Sequence, residues 1–149
     1  VHFTTSEGDG KWSDISKGLR AHAAVSYIEP SKHSDGTVYL AMSDRREDNI
    51  NPLIYKSSDY GATWTNITSN LPYAPVNVVR EDPFEKEKIY VGTDMGIYVS
   101  KDDGKTWESL QANLPASVSV QDLFIHPLTK QIAIATYGRG VWIMNKPEN

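Results

Sequence analysis

Apolar residues in this chain come in short runs of about five to seven, each bounded by turn-forming residues. The runs are rich in β-branched and aromatic side chains, as in Ile89-Tyr90-Val91 and Ile97-Tyr98-Val99. No window sustains a helical period, and Pro and Gly interrupt too often for one. The pattern predicts strands. In the middle of the chain four are expected: a near Val76–Glu81, b near Lys88–Gly92, c near Gly96–Ser100 and d near Thr106–Leu110.

The same succession occurs more than once. Trp12, Trp64 and Trp107 recur after 52 and then 43 residues. Leu19, Leu71 and Leu114 follow them at a constant distance, the last two within Asn-Leu-Pro. Pro30, Pro83 and Pro127 then close an apolar stretch, and a b run and a c run follow each proline. Short antiparallel strands at this period predict β-propeller blades, flat sheets that bury their faces against one another. The chain opens with c and d, runs two full a-b-c-d units and ends with a, b and c. The expected fold is therefore all-β: a propeller segment of about three four-stranded antiparallel blades in an incomplete ring. Residues 1–149 read as one segment, with units at about 1–16 (partial), 17–69, 70–112 and 113–149. An open arc exposes apolar faces. The expected partner is thus the remainder of a longer propeller or, less favoured, a second copy of the chain.

Composition narrows the classes. The 149 residues carry 15 basic and 19 acidic side chains, a net charge of −4. Without a basic run, nucleic acid is not the expected partner. No apolar run approaches the roughly 20 residues that span a bilayer, so membrane insertion is not expected. Val1–Trp12 lacks the basic start and apolar centre of a signal peptide. There are no cysteines, and the four histidines show no ligand spacing, so no metal site is expected. No Gly-rich phosphate cradle stands out, and no cofactor is expected.

The sharpest motif lies between c and d: Ser57-Ser58-Asp59-Tyr60-Gly61-Ala62-Thr63-Trp64, and again Ser100-Lys101-Asp102-Asp103-Gly104-Lys105-Thr106-Trp107. The Asp can accept backbone N–H groups of its own turn, and the Gly can take positive φ. The Ser and Thr hydroxyls can satisfy remaining backbone groups, and the Trp can bury its ring between blades. In the N-terminal copy, Thr5-Ser6-Glu7-Gly8-Asp9-Gly10-Lys11-Trp12, Glu7 and Asp9 fall where Asp and Gly are expected.

These S-x-D-x-G-x-T-W turns resemble the Asp-box, or BNR repeat, and the resemblance covers essentially the whole chain. Asp-box propellers include sialidases, xyloglucanases, sortilin-like receptors and bacterial proteins labelled glycosyl hydrolases. Gly92–Ser100 and Ala135–Trp142 look like the last blades of that bacterial group. The resemblance implies a much longer parent protein that is secreted, periplasmic or on the cell surface. It also implies that Asp59 and Asp102 are structural, since in sialidases such turns lie away from the active site.

Candidate chemistry therefore belongs to the opposite face, on the b–c and d–a connections. Asp44, Asp94 and Tyr137 occupy equivalent b–c positions. Asp44 with Asp94 can be read as a glycosidase acid and base, or as caps of their own turns. Arg45, Arg46 and Arg139 can clamp a carboxylated sugar. Alternatively Arg45 and Arg46 pair with Glu47 and Asp48, and Arg139 braces backbone. Tyr137 and Tyr73 can stack on sugar rings, whereas Trp142 reads as blade packing. Three functions follow. The first is a mainly structural or binding part of a glycan-associated protein. The others are a glycoside hydrolase and a sortilin-like protein-interaction scaffold.

Overall fold

Strands apolar on both faces must be covered on both faces, and this requirement stacks the sheets. The computed structural model describes residues 1–6, 8–110 and 113–147. Among them thirteen strands form four antiparallel sheets. The first pairs β1 (His2–Phe3) with β2 (Ser13–Asp14). The second runs β3 (Ala24–Pro30), β4 (Val38–Asp44), β5 (Asn49–Ser57), β6 (Thr65–Asn66). The third runs β7 (Val76–Glu81), β8 (Ile89–Thr93), β9 (Gly96–Ser100), β10 (Glu108–Ser109). The fourth has three strands: β11 (Val120–Ile125), β12 (Gln131–Thr136) and β13 (Val141–Asn145). This is the all-β, incomplete propeller segment that the repeats predict.

Alternation along β4 and β8 assigns each face to a neighbour. Tyr39 and Ala41 of β4 pack with Ile89 and Val91 of β8 in the layer between the second and third sheets. Leu40 and Met42 point the other way, toward Leu19 and Trp64. Tyr90 of β8 joins Val120, Leu123, Ile132 and Ile134 between the third and fourth sheets. Each apolar layer thus belongs to two sheets, the energetic unit of a repeat protein. Burying a Val, Leu or Ile side chain stabilises by about 1.5–3 kcal/mol, and the inner strand of the second sheet, which the two-stranded first sheet leaves open, and the outer side of the fourth sheet lack this. Val25 and Ile28 of β3, and Phe124, Val141 and Ile143 at the other end, are exposed.

The inner strands β3, β7 and β11 are joined by side-chain bonds. Ser26 Oγ donates to the Val76 carbonyl (2.8 Å), and Arg80 Nε donates to the Leu123 carbonyl (2.7 Å). The connections divide between two faces. The amides of Tyr60 and Asp103, in the c–d turns, donate to Gly36 and Glu87 in the a–b turns (2.9 Å each). On the other face the amides of Asp94 and Tyr137 donate to Pro75 (3.2 Å) and Ser119 (2.9 Å).

Three local expectations need correction. The d strands are only two residues long, because Trp64 and Trp107 leave the sheet edge to reach the preceding blade. The long first b–c loop, expected over 43–52, is a tight 3-10 turn at Arg45–Glu47, since Asp44 pairs with Asn49 and extends both strands. The N-terminal turn is offset by one residue. Phe3 pairs with Ser13 as Lys56 pairs with Thr65, which places Thr4 and Ser6 where Ser57 and Asp59 stand. The Ser6 amide bonds the Thr4 hydroxyl at 3.3 Å, as the Asp59 amide bonds Ser57. Gly8 has φ +91°, close to the +87° of Gly61. The extra residue lies just before Trp12, so alignment on the tryptophan misplaces the turn. Glu7 lies outside the described residues.

Candidate functional site

The two intact c–d turns are the same object twice. Ser57 Oγ accepts the Gly61 amide (2.8 Å) and donates to Asp59 Oδ1 (2.8 Å). Asp59 accepts the Thr63 amide (2.9 Å) and hydroxyl (2.6 Å). Ser100, Asp102, Gly104 and Thr106 repeat these bonds at the same distances. The Thr106 hydrogen bonds lower the Asp102 pKa to about 2, and those of Thr63 lower that of Asp59. The Ser57, Asp59 and Thr63 side chains, and likewise Ser100, Asp102 and Thr106, are thus occupied within their own turns.

The same face carries a polar seam between the second and third sheets. Tyr39 presents its hydroxyl to Asp103 Oδ1 (3.0 Å) and Glu81 Oε1 (3.3 Å), while Lys56 pairs with Asp103. Burial raises the Tyr39 pKa and keeps the phenol protonated. Glu81 is further held by Ser31 Oγ at 3.0 Å. These groups satisfy one another and join two blades.

The opposite face holds the site. A cavity of about 460 Å³ is lined by Arg45, Asp94, Ser119, Gln121 and Tyr137. Each of three b–c turns contributes one residue. Asp94 is the hub. Its Oδ1 accepts Ser119 Oγ (2.8 Å) and Asn77 Nδ2 (3.1 Å), and its Oδ2 accepts Arg45 Nη2. Arg45 Nη2 also reaches Asn77 Oδ1 (3.1 Å), and Gln121 Nε2 donates to Ser119 Oγ (2.8 Å). Asn77 is itself anchored on the Val120 carbonyl at 2.9 Å. The arrangement is a hydrogen-bonded wall with one guanidinium in it and a phenol ring, 79% exposed, at its edge.

The sequence-predicted residues divide accordingly. Arg45, Asp94 and Tyr137 come together. Asp44 does not join them: it is 2% exposed, with Oδ2 accepting Arg20 Nε (2.9 Å) and Asn49 Nδ2 (3.1 Å). The Arg20 hydrogen bond holds its pKa below the usual carboxylate value. Asp44 Oδ1 is buried with no hydrogen-bond partner among the described residues. Tyr73 is exposed in a d–a loop away from the cavity lining. Arg46 and Arg139 are exposed, and neither guanidinium has a hydrogen-bond partner among the described residues; the Arg139 carbonyl accepts Trp142 Nε1 at 3.0 Å. The expected pairing of Arg45 with its own loop is not found, because Asp94 of the next blade is the better-placed carboxylate. Sequence reasoning missed Asn77, Ser119 and Gln121. Asn77 left a signal, as the one polar residue within the Val76–Val79 run.

Among the described residues no helix is long and apolar enough to cross a membrane. Among the described residues no group of three or more His, Asp or Glu side chains is placed to hold a metal ion.

Stacked antiparallel sheets of up to four strands, inner strands side by side and turns sorted onto two faces define a partial β-propeller with a polar cavity on its b–c face. The family model of Sortilin, neurotensin receptor 3 (Sortilin-Vps10) matches residues 53–147, and the chain belongs to this family. Solved structures share the fold. An ancestral GH74 enzyme superposes with TM-score 0.62 at 23% identity, over 79% of this chain and 14% of that one. The GH74 enzyme of Niastella koreensis gives 0.65 at 16% identity, over 80% and 21%. YCF48 bound to D1 peptide gives 0.59 at 15% identity, over 85% and 37%. The chain thus spans well under half of each. No curated protein sequence matches it.

Proposed function

We propose that this chain is a non-catalytic binding segment of a longer, extracytoplasmic Asp-box propeller protein, and that its b–c face takes a glycan. The observation that carries the reading is the hydrogen-bonded wall around Asp94 with the exposed Tyr137 ring beside it. Sugar recognition needs a flat ring for the apolar sugar face and fixed donors and acceptors for the hydroxyls. The twin c–d turns fit the Asp-box role of fastening blades, and the open ends fit the rest of a ring as partner.

Hydrolysis is less well supported. It needs two carboxylates across one bond, one of them with a raised pKa. Asp44 is buried apart from Asp94, and its pKa is lowered. A protein-interaction scaffold is the second reading, favoured by the family match over residues 53–147. The test is an NMR titration of the chain with a neutral xyloglucan oligosaccharide and with mixed peptides, alongside a reducing-end assay. Shifts at Ser119, Gln121 and Tyr137 with sugar, and no reducing ends released, are expected. Shifts with peptide alone would favour the scaffold. Reducing ends lost on Asp94→Asn would establish the hydrolase instead.

A further inference from the structure

The interfaces between blades repeat one hydrogen bond, and each end of the molecule holds half of it. Every inner strand carries one extra residue at its bulge: Ser26 in β3, Asn77 in β7 and Gln121 in β11. The first two donate across an interface, to the residue just before the next bulge. Ser26 Oγ donates to the Val76 carbonyl (2.8 Å), and Asn77 Nδ2 to that of Val120 (2.9 Å). Gln121 is the third donor. Its Nε2 spends one hydrogen on Ser119 Oγ and keeps the other, whereas Asn77 Nδ2 serves both Asp94 and Val120. Among the described residues no strand lies beyond β11 to receive it. At the opposite end, Val25 holds the position of Val76 and Val120, and no described side chain donates to its carbonyl.

The apolar positions follow the same rule. Val76 and Val79 are buried against the preceding sheet, and Val25 and Ile28 hold their places on β3, half exposed. Ile54 of β5 and Ile97 of β9 are buried against the following sheet, and Val141 of β13, 71% exposed, holds theirs. We infer that the two ends are the halves of one interface and that a second copy of this chain occupies them. The outer face of the fourth sheet of one copy packs on β3 of the next, with Gln121 donating to the Val25 carbonyl. The contact is head to tail, because two like ends offer only donors or only acceptors.

The chain has no cysteine, so introduced ones report the geometry. Val25→Cys and Val141→Cys, each in the full chain, are oxidised separately and mixed. The mixture should yield a disulfide-linked dimer containing one of each, at least about tenfold faster than either variant alone. In sedimentation, Gln121→Leu should weaken association about two- to tenfold, the worth of one net hydrogen bond. Its melting temperature should not change, because the side chain is exposed. Gln121→Asn, carrying the donor of the third sheet, should associate like the parent chain. Like-with-like links at the rate of the mixture would overturn the head-to-tail arrangement. Unchanged association of Gln121→Leu would overturn the role of Gln121. A monomer at every concentration would overturn the second copy as occupant.

Discussion

The indole Nε1–H of Trp107 donates to the main-chain carbonyl of Ile67, 3.0 Å away in the preceding sheet. Trp64 does the same to Ile15 at 2.7 Å. Ile15 and Ile67 each directly follow a d strand, so the latch recurs from blade to blade. Trp107 is 4% exposed, so replacing it leaves a buried carbonyl without a donor. Trp107→Phe should cost about 1–3 kcal/mol in urea unfolding. Trp12, 57% exposed and without an indole partner among the described residues, should tolerate Phe within about 0.5 kcal/mol.

The glycine of the turn completes the latch. Gly104 has φ +83°, and a Cβ there would lie 2.9 Å from Ile67 Cβ, which cannot swing aside. Gly104→Ala should therefore add left-handed strain to overpacking and cost about 2–4 kcal/mol. Gly138 has φ +74° but open space around it, so Gly138→Ala should cost only about 1–2 kcal/mol. Equal losses in thermal or urea denaturation would show that conformation alone matters.

The turn carboxylate makes stability depend on acid. Thr106 lowers Asp102 from the ordinary 3.8 to about 2. The folded state therefore binds this proton less readily than the unfolded chain does. The stabilisation is complete above the unfolded value and lost as pH falls from near 3.8 through about 2. Asp102→Asn should flatten the part of the pH–stability curve in that window. An unchanged acid limb would mean that other carboxylates govern it.

The Arg45–Asp94 pair is partly solvated, with side chains 47% and 33% exposed. Exposed pairs contribute about 0.2–1 kcal/mol. A double-mutant cycle of Arg45→Ala and Asp94→Ala should give a coupling energy below about 1 kcal/mol. A coupling of several kcal/mol would mark the pair as a blade fastener and leave little of Arg45 for a ligand.

The uncovered end sheets should associate. Light scattering of this chain should give a mass above 16.6 kDa at micromolar concentration, rising with concentration. Ile143→Lys, on the bare outer sheet, should return it toward the monomer. A monomer at all concentrations would show that the exposed faces are too small to drive association.

The order of strands, their number and the chemistry of the c–d turns were legible in the residues alone. Each depends on neighbours a few positions apart: alternation within one strand, or Ser57 and Thr63 bonding the Asp59 between them. The tertiary structure alone decided what meets across blades. Arg45 and Asp94 are 49 positions apart, as are Trp64 and Ile15. Local pattern cannot tell whether Arg45 turns toward Glu47 or toward the next sheet, because that depends on how two stacked blades align their loops. Bulges at Val25–Tyr27, Val76–Val78 and Val120–Asp122 shift the register of every inner strand. They leave little trace in hydropathy, yet that register decides that Asn77 and Ser119 converge on Asp94 while Asp44 is buried beside Arg20.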